Sequence, residues 1–173
     1  MSIPYLAQAA DQERLHWLGG GVMRIVLDGT KTDAQLTMVR SASTSGTASP
    51  VHVHDSEDEI MVLVHGGAIF WVGEQRYELS EGGVAVLPRN IPHAYRFTSE
   101  AVDMLTIAMP SGIESFFRAA GWDLSRPRPD GWEITPASMA AAAEATGQTI
   151  LGPPLAAGEM IPLAYLSGQQ PPR

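Results

Sequence analysis

At 173 residues and a formal net charge of −8, the chain is long enough for one domain with a buried core, and it lacks the excess of positive charge that non-specific nucleic-acid binding needs. It has no cysteine, so disulfides and thiolate metal sites are excluded and any metal must be held by nitrogen and oxygen. No stretch approaches the ~18 uninterrupted apolar residues of a membrane span, and the opening MSIPYLAQAADQERLHW has no basic start followed by an apolar run, so neither a membrane partner nor a secretory signal is expected and a cytoplasmic location is.

In chain order, residues 1–13 read as a terminal arm with a short helix. Residues 14–17, 22–27 and 35–40 read as early strands, separated by Gly19-Gly20-Gly21 and Asp28-Gly29. Residues 41–50 read as a loop leading into Val51-His52-Val53-His54, a strand whose alternation puts both histidines on one face and both valines on the other. The acidic segment Asp55-Ser56-Glu57-Asp58 reads as a solvated turn, and residues 59–65 resume as a β-branched strand that stops at Gly66-Gly67. Residues 68–72 and 76–79 form a predicted hairpin about Gly73-Glu74. Predicted strands at 84–87, 93–97 and 104–108 follow. Many short strands punctuated by Gly and Pro indicate an all-β sandwich or barrel.

The last third changes character. Ser111 and Glu114 make a capping-box pattern, and Ile113, Phe116, Phe117 and Ala120 share one helical face. Gly121 ends that helix, and a Pro- and Arg-bearing loop covers 123–130. Thr135 as N-cap, Pro136 in the first turn and Gly147 beyond the end mark a second helix. Residues 152–173 read as irregular, packing across the barrel or a partner subunit. The expected organisation is therefore 1–110 as a barrel with an N-terminal arm, and 111–173 as a helical and irregular appendage of the same domain.

The chemistry concentrates in GTASPVHVHDSEDEIMVLVHG, residues 46–66. An antiparallel return after the acidic turn brings a carboxylate beside His52 and His54, and His93 arrives from a later strand. Asp55, Glu57, Asp58 and Glu59 compete for the carboxylate position; strand phase favours Glu59, which shares parity with Met61 and Leu63. Three imidazoles and one carboxylate suit one divalent transition metal, whether iron, nickel, manganese, cobalt, copper or zinc. Four ligands on an octahedral ion leave two positions open, which is the arrangement of a catalytic rather than a structural site. Tyr95 and Phe97 share the parity of His93 and join Met61 and Leu63 as candidate pocket-lining residues, with Tyr95 placed to donate a hydrogen bond to substrate. His16 and His65 read as strand residues, and Trp17, Trp71, Trp122 and Trp132 as packing. The Gly19–Gly21 run lacks the Lys-Ser/Thr of a phosphate loop, and no G-x-S-x-G is present.

These residues resemble the two motifs of the cupin superfamily. Gly46, His52, His54, Glu59 and Gly66 fill every fixed position of the first; Gly82, Pro88 and His93 match the second, with Asn90 in place of a glycine and Phe97 in place of an asparagine. Asn tolerates the left-handed backbone a turn glycine would adopt. The motifs span about a third of the chain, and the flanking SGIESFFRAAG and QTILGPPL are similar in layout to single-cupin proteins of the quercetin dioxygenase type. The resemblance implies a cupin β-barrel (jelly roll), metal ligation by His52, His54, Glu59 and His93, and a homodimer. It further implies a dioxygenase acting on an enol- or phenol-bearing small molecule, with Glu59 doubling as base and Tyr95 assisting. A redox-neutral isomerase, cyclase or lyase using the ion as Lewis acid, and a non-catalytic small-molecule binder, are the alternatives to it.

Overall fold

The computed structural model describes residues 4–167 and arranges them in two antiparallel sheets. The strands are β1 (Glu13–His16), β2 (Val22–Leu27), β3 (Thr37–Ser43), β4 (Val51–His54), β5 (Asp58–His65), β6 (Gly67–Val72), β7 (Gln75–Ser80), β8 (Val84–Leu87), β9 (His93–Phe97), β10 (Val102–Met109), β11 (Trp122–Asp123) and β12 (Gln148–Gly152). The helices are α1 (Gly29–Thr32), α2 (Glu114–Ala120), α3 (Pro136–Thr146) and α4 (Leu163–Leu166). One sheet runs β11-β1-β2-β3-β10-β5-β8 and the other β12-β4-β9-β6-β7. This is the expected all-β barrel with a small helical C-terminal region.

Alternation along the strands builds the interior. On β10 the residues Val102, Met104, Thr106 and Ala108 face inward in strict alternation, and Met61 and Leu63 do the same on the neighbouring β5. Met61, Leu63, Val102 and Met104 meet Phe70, Leu87, Tyr95 and Phe97 in one apolar cluster. Each fully buried Leu or Phe there contributes about 1.5–3 kcal/mol relative to exposure. A second cluster lies where α2 and α3 cap one end, with Leu15, Trp17, Met23, Phe117 and Met139 in contact. The strand breaks are local chemistry. At Gly66 the backbone has φ +89°, and a Cβ there would stand 2.5 Å from the Ala101 carbonyl oxygen, so only glycine fits the turn.

Several expectations change. The segment read as a loop from residue 41 is strand through Ser43, because Ser41 and Ser43 pair with Met104 and Val102 on β10; two polar residues in a half-buried strand resembled a loop. The Ser111–Glu114 capping box does not form. The N-cap is Ile113 without a side-chain bond, and the Glu114 carboxylate instead accepts the amides of Gly29 and Gly112, at 2.9 and 2.8 Å, and the Thr37 hydroxyl. Burial opposes ionisation of Glu114, but these donors outweigh it and lower its pKa. Thr135 caps α3 as expected, and with Ser138 it completes a capping box that was not. Asp28 caps the unforeseen α1.

The C-terminal segment is tied to the barrel. Strand β12, also unforeseen, adds to the second sheet beside β4, pairing Gln148 with His54 and Ile150 with His52. Beyond it the chain crosses the outer face of that sheet, where Leu155 and Ile161 cover Val51, Ile69 and Trp71. Main-chain carbonyls of the strap accept from Trp71 (to Glu159), Arg76 (to Ala157) and Arg96 (to Leu155) at 2.7–2.9 Å. Residues 168–173 of the expected irregular tail, and 1–3 of the expected arm, lie outside the described residues. No described helix is long and apolar enough to cross a membrane.

Candidate metal centre

Both sheets contribute to the centre. His52 and His54 project from β4, and His93 opens β9 directly opposite His52 in the register. Glu59 comes from β5 in the other sheet, where it pairs with Ala108 and Leu87. Two details hold the second motif in place. Asn90 adopts φ +63°, the left-handed conformation expected where a glycine is replaced, and its amide donates to the His54 carbonyl at 2.8 Å. Asp58 accepts from the Arg89 amide and guanidinium at 2.7–3.1 Å, stapling the start of β5 to the loop before β9.

One ligand atom from each of His52, His54, Glu59 and His93 lies within 4.8 Å of the other three. His54, Glu59 and His93 are each 1 % exposed. The Pro50 carbonyl accepts from His52 Nδ1 at 2.9 Å and the Ile91 carbonyl from His93 Nδ1 at 2.8 Å. Those bonds fix the tautomer and leave Nε2 of both rings as a lone pair facing the cluster. Glu59 Oε2 stands 3.4 Å from His54 Nε2 and 3.3 Å from His93 Nε2, contacts too poorly directed to be hydrogen bonds. His54 Nε2, His93 Nε2 and Glu59 Oε2 are therefore buried without partners, as is His54 Nδ1. Converging lone pairs with no donor between them are what a cation would satisfy. The residues present fit a divalent transition ion.

Charge is unevenly shared within the cluster. Burial, with the neighbouring imidazoles, drives the His52 pKa well below its usual value. At His54 burial also disfavours the charge, but the Glu59 carboxylate outweighs it and raises the pKa. Burial works against ionisation of Glu59, yet its contacts with His54 and His93 hold it well below the usual carboxylate range.

The cluster opens on a cavity of about 50 Å³. Met61 and Tyr95 line it, with Met23, Met104, Ile113, Phe116, Phe117 and Met139 among the apolar walls. Leu63 and Phe97 do not; both sit in the apolar cluster between the sheets, with Phe97 stacked 5.0 Å from the Tyr95 ring. Burial raises the Tyr95 pKa, so its hydroxyl stays protonated. A larger, apolar recess of about 390 Å³ shares the walls Leu18, Pro50, Met139 and Ile150 with the inner cavity.

Of the other acidic residues, Asp55 is exposed and Asp58 pairs with Arg89, but Glu57 departs from the solvated turn expected of it. Its carboxylate is 13 % exposed, with Oε2 3.9 Å from His54 Nδ1, and burial raises its pKa. A carboxylate behind a histidine on the side away from the cluster can orient the ring. Nothing in the spacing of DSEDE distinguishes it from its neighbours. His65 forms an exposed pair with Glu81 at 2.7 Å, remote from the cluster's ligand set. The Trp17 indole, read as packing, is part of the cavity wall.

Comparison with known proteins agrees with this geometry. Residues 43–109 match the family described as Cupin domain. Over 120 residues, 69 % of this chain, the sequence is 29 % identical to quercetin 2,3-dioxygenase of Bacillus subtilis, of which the match covers 35 %; the chain thus spans about a third of that relative. The fold is similar to that of KdgF from Halomonas sp., at a TM-score of 0.55 and 18 % identity over 61 % of this chain and 94 % of that one. It is also similar to oxalate decarboxylase of Bacillus subtilis, at a TM-score of 0.53 and 16 % identity over 64 % of this chain and 31 % of that one.

Proposed function

Because residues 43–109 are a cupin domain, we propose that this chain is a metal-dependent dioxygenase acting on an enol- or phenol-bearing small organic molecule. The observation that carries the reading is the convergence of four ligand groups, three of them buried without a partner, at one side of an apolar cavity, in a chain similar to a quercetin dioxygenase. In this reading His52, His54, Glu59 and His93 hold the ion. Bound there, a divalent transition ion supplies a Lewis acid for the substrate oxygen and, if redox-active, a route to dioxygen chemistry.

The chain's own residues then have defined tasks. His52 and His93, tethered through Nδ1 to backbone carbonyls, present Nε2 without rotamer freedom. Glu59, the carboxylate of the cluster, would serve both as a ligand and as the base that takes the substrate's hydroxyl proton. Tyr95 is protonated and acts as a hydrogen-bond donor. The walls built by Met23, Met104, Phe116 and Phe117 exclude water and favour a planar, uncharged substrate body. Among the described residues neither Lys nor Arg lines the cavity, so there a multiply charged acid meets no countercharge beyond the ion.

The test is an oxygen-electrode assay of the ion-loaded protein with a panel of flavonols, enols and phenols, repeated under argon. One dioxygen consumed per substrate, and no turnover under argon, is expected. Undiminished turnover under argon, retained with zinc in the site, would instead assign a redox-neutral reaction to the same residues.

A further inference from the structure

Outside the histidine cluster, two buried polar atoms of cavity-lining residues have no hydrogen-bond partner among the described residues. The Trp17 indole N–H and the Ser41 hydroxyl both belong to residues that line the cavity, which are 7 % and 4 % exposed. They come from different places, Trp17 from just beyond β1 and Ser41 from the middle of β3, and neither belongs to the four-residue cluster. The indole cannot readily turn away, since Phe116 and Phe117 pack edge-on against it at 6.0 and 5.1 Å between ring centroids. Trp17 offers only a donor, and Ser41 a donor or an acceptor. The Tyr95 hydroxyl lies close enough to the indole to feel it, without a hydrogen bond between them of normal geometry.

Buried donors without partners are rare in folded proteins and call for an explanation, a bound water, ion or ligand among them. Among the described residues the remaining cavity lining is largely apolar, Glu59 is its one carboxylate, and no Lys or Arg reaches it. The complement of two donors in such a setting is a neutral oxygen acceptor. We propose that Trp17 Nε1 and Ser41 Oγ form a second subsite that binds a ketone or ester carbonyl of the substrate, at a different part of the molecule from the hydroxyl that meets the histidine cluster. The substrate class is thereby narrowed to hydroxy-carbonyl compounds, uncharged apart from their enolic or phenolic oxygen. The inference rests on the metal-centre reading above and not on the use of dioxygen.

The experiment is isothermal titration of the ion-loaded protein, under argon, with 3- and 4-hydroxyacetophenone, each compared with the matching ethylphenol. The pairs share shape and phenol and differ in the carbonyl. In the wild-type protein at least one ketone should bind about tenfold or more tightly than its ethyl counterpart, the scale of one or two hydrogen bonds to otherwise unpaired donors. Trp17→Phe and Ser41→Ala should each shrink that ratio severalfold while leaving ethylphenol binding within about twofold, because the ring packing and the cluster are untouched. Ser41→Ala removes a single oxygen and serves should Trp17→Phe fail to fold. A ratio near one in the wild type, or a ratio that survives both substitutions, overturns the subsite. Loss of the ion itself, read by elemental analysis of the same samples, counts instead against the metal centre.

Discussion

Stripping the ion from this protein with a chelator and then restoring it should move its thermal midpoint by several degrees, and the size of the shift follows from the buried atoms. His54 Nε2, His93 Nε2 and Glu59 Oε2 are sealed from solvent with no partner. A buried polar group left unsatisfied costs about 1–3 kcal/mol, so an ion that engages all three recovers at least about 3 kcal/mol in the folded state. Mass action gives a similar scale, about 2.7 kcal/mol when the free ion stands at 100 times its dissociation constant. For a chain of this length each kcal/mol shifts the midpoint by about 2–4 °C, so the expected rise is about 6–12 °C. Differential scanning calorimetry at a fixed ion excess measures it. His93→Ala and Glu59→Gln should lose most of the ion-dependent rise. Removing one unpartnered group also removes its desolvation cost from the ion-free protein, so the ion-free midpoint should suffer less than in a typical core truncation. A wild-type midpoint indifferent to the ion, or a full rise persisting in His93→Ala, would refute the reasoning.

Glu114→Gln should destabilise the fold by about 1–3 kcal/mol in urea unfolding, since one amide oxygen cannot serve the Gly29, Gly112 and Thr37 donors together; an unchanged midpoint would contradict that role. The pH dependence of stability should carry the signature of Asp28, whose pKa falls from 3.8 to about 2 through its bonds to Thr30 and Arg118 against a desolvation cost. The folded-state pKa is depressed, so its contribution is complete above about 3.8 and is lost as pH falls through about 2. Asp28→Asn should flatten the midpoint-against-pH curve in that window relative to the wild type, and parallel curves would rule the linkage out.

How much of this was legible beforehand depended on the range of the interaction. His52, His54 and Glu59 were readable because strand alternation fixes which side chains share a face, and His93 because a second strand begins there. Asn90 was readable as a left-handed residue because few residue types tolerate that backbone. Glu57 was not, since its approach to His54 depends on how the 55–57 turn closes against Gly112. Ser111 and Glu114 carried a local capping signal that a tertiary cradle of Gly29 and Thr37 overrode. Strand β12 is five residues long, and its pairing with β4 joins positions nearly a hundred residues apart. A short run with such a distant partner has no local signature. Trp17 shows the same limit: its place in the cavity wall is set by α2 and β3, not by its neighbours in sequence.

The most direct test of the whole account is anomalous diffraction from crystals of the ion-loaded protein. One peak per chain is predicted, at about 2.0–2.2 Å from imidazole nitrogens of His52, His54 and His93 and from a Glu59 oxygen. A peak elsewhere, or a fully loaded protein whose ion touches fewer than three of these residues, would contradict it.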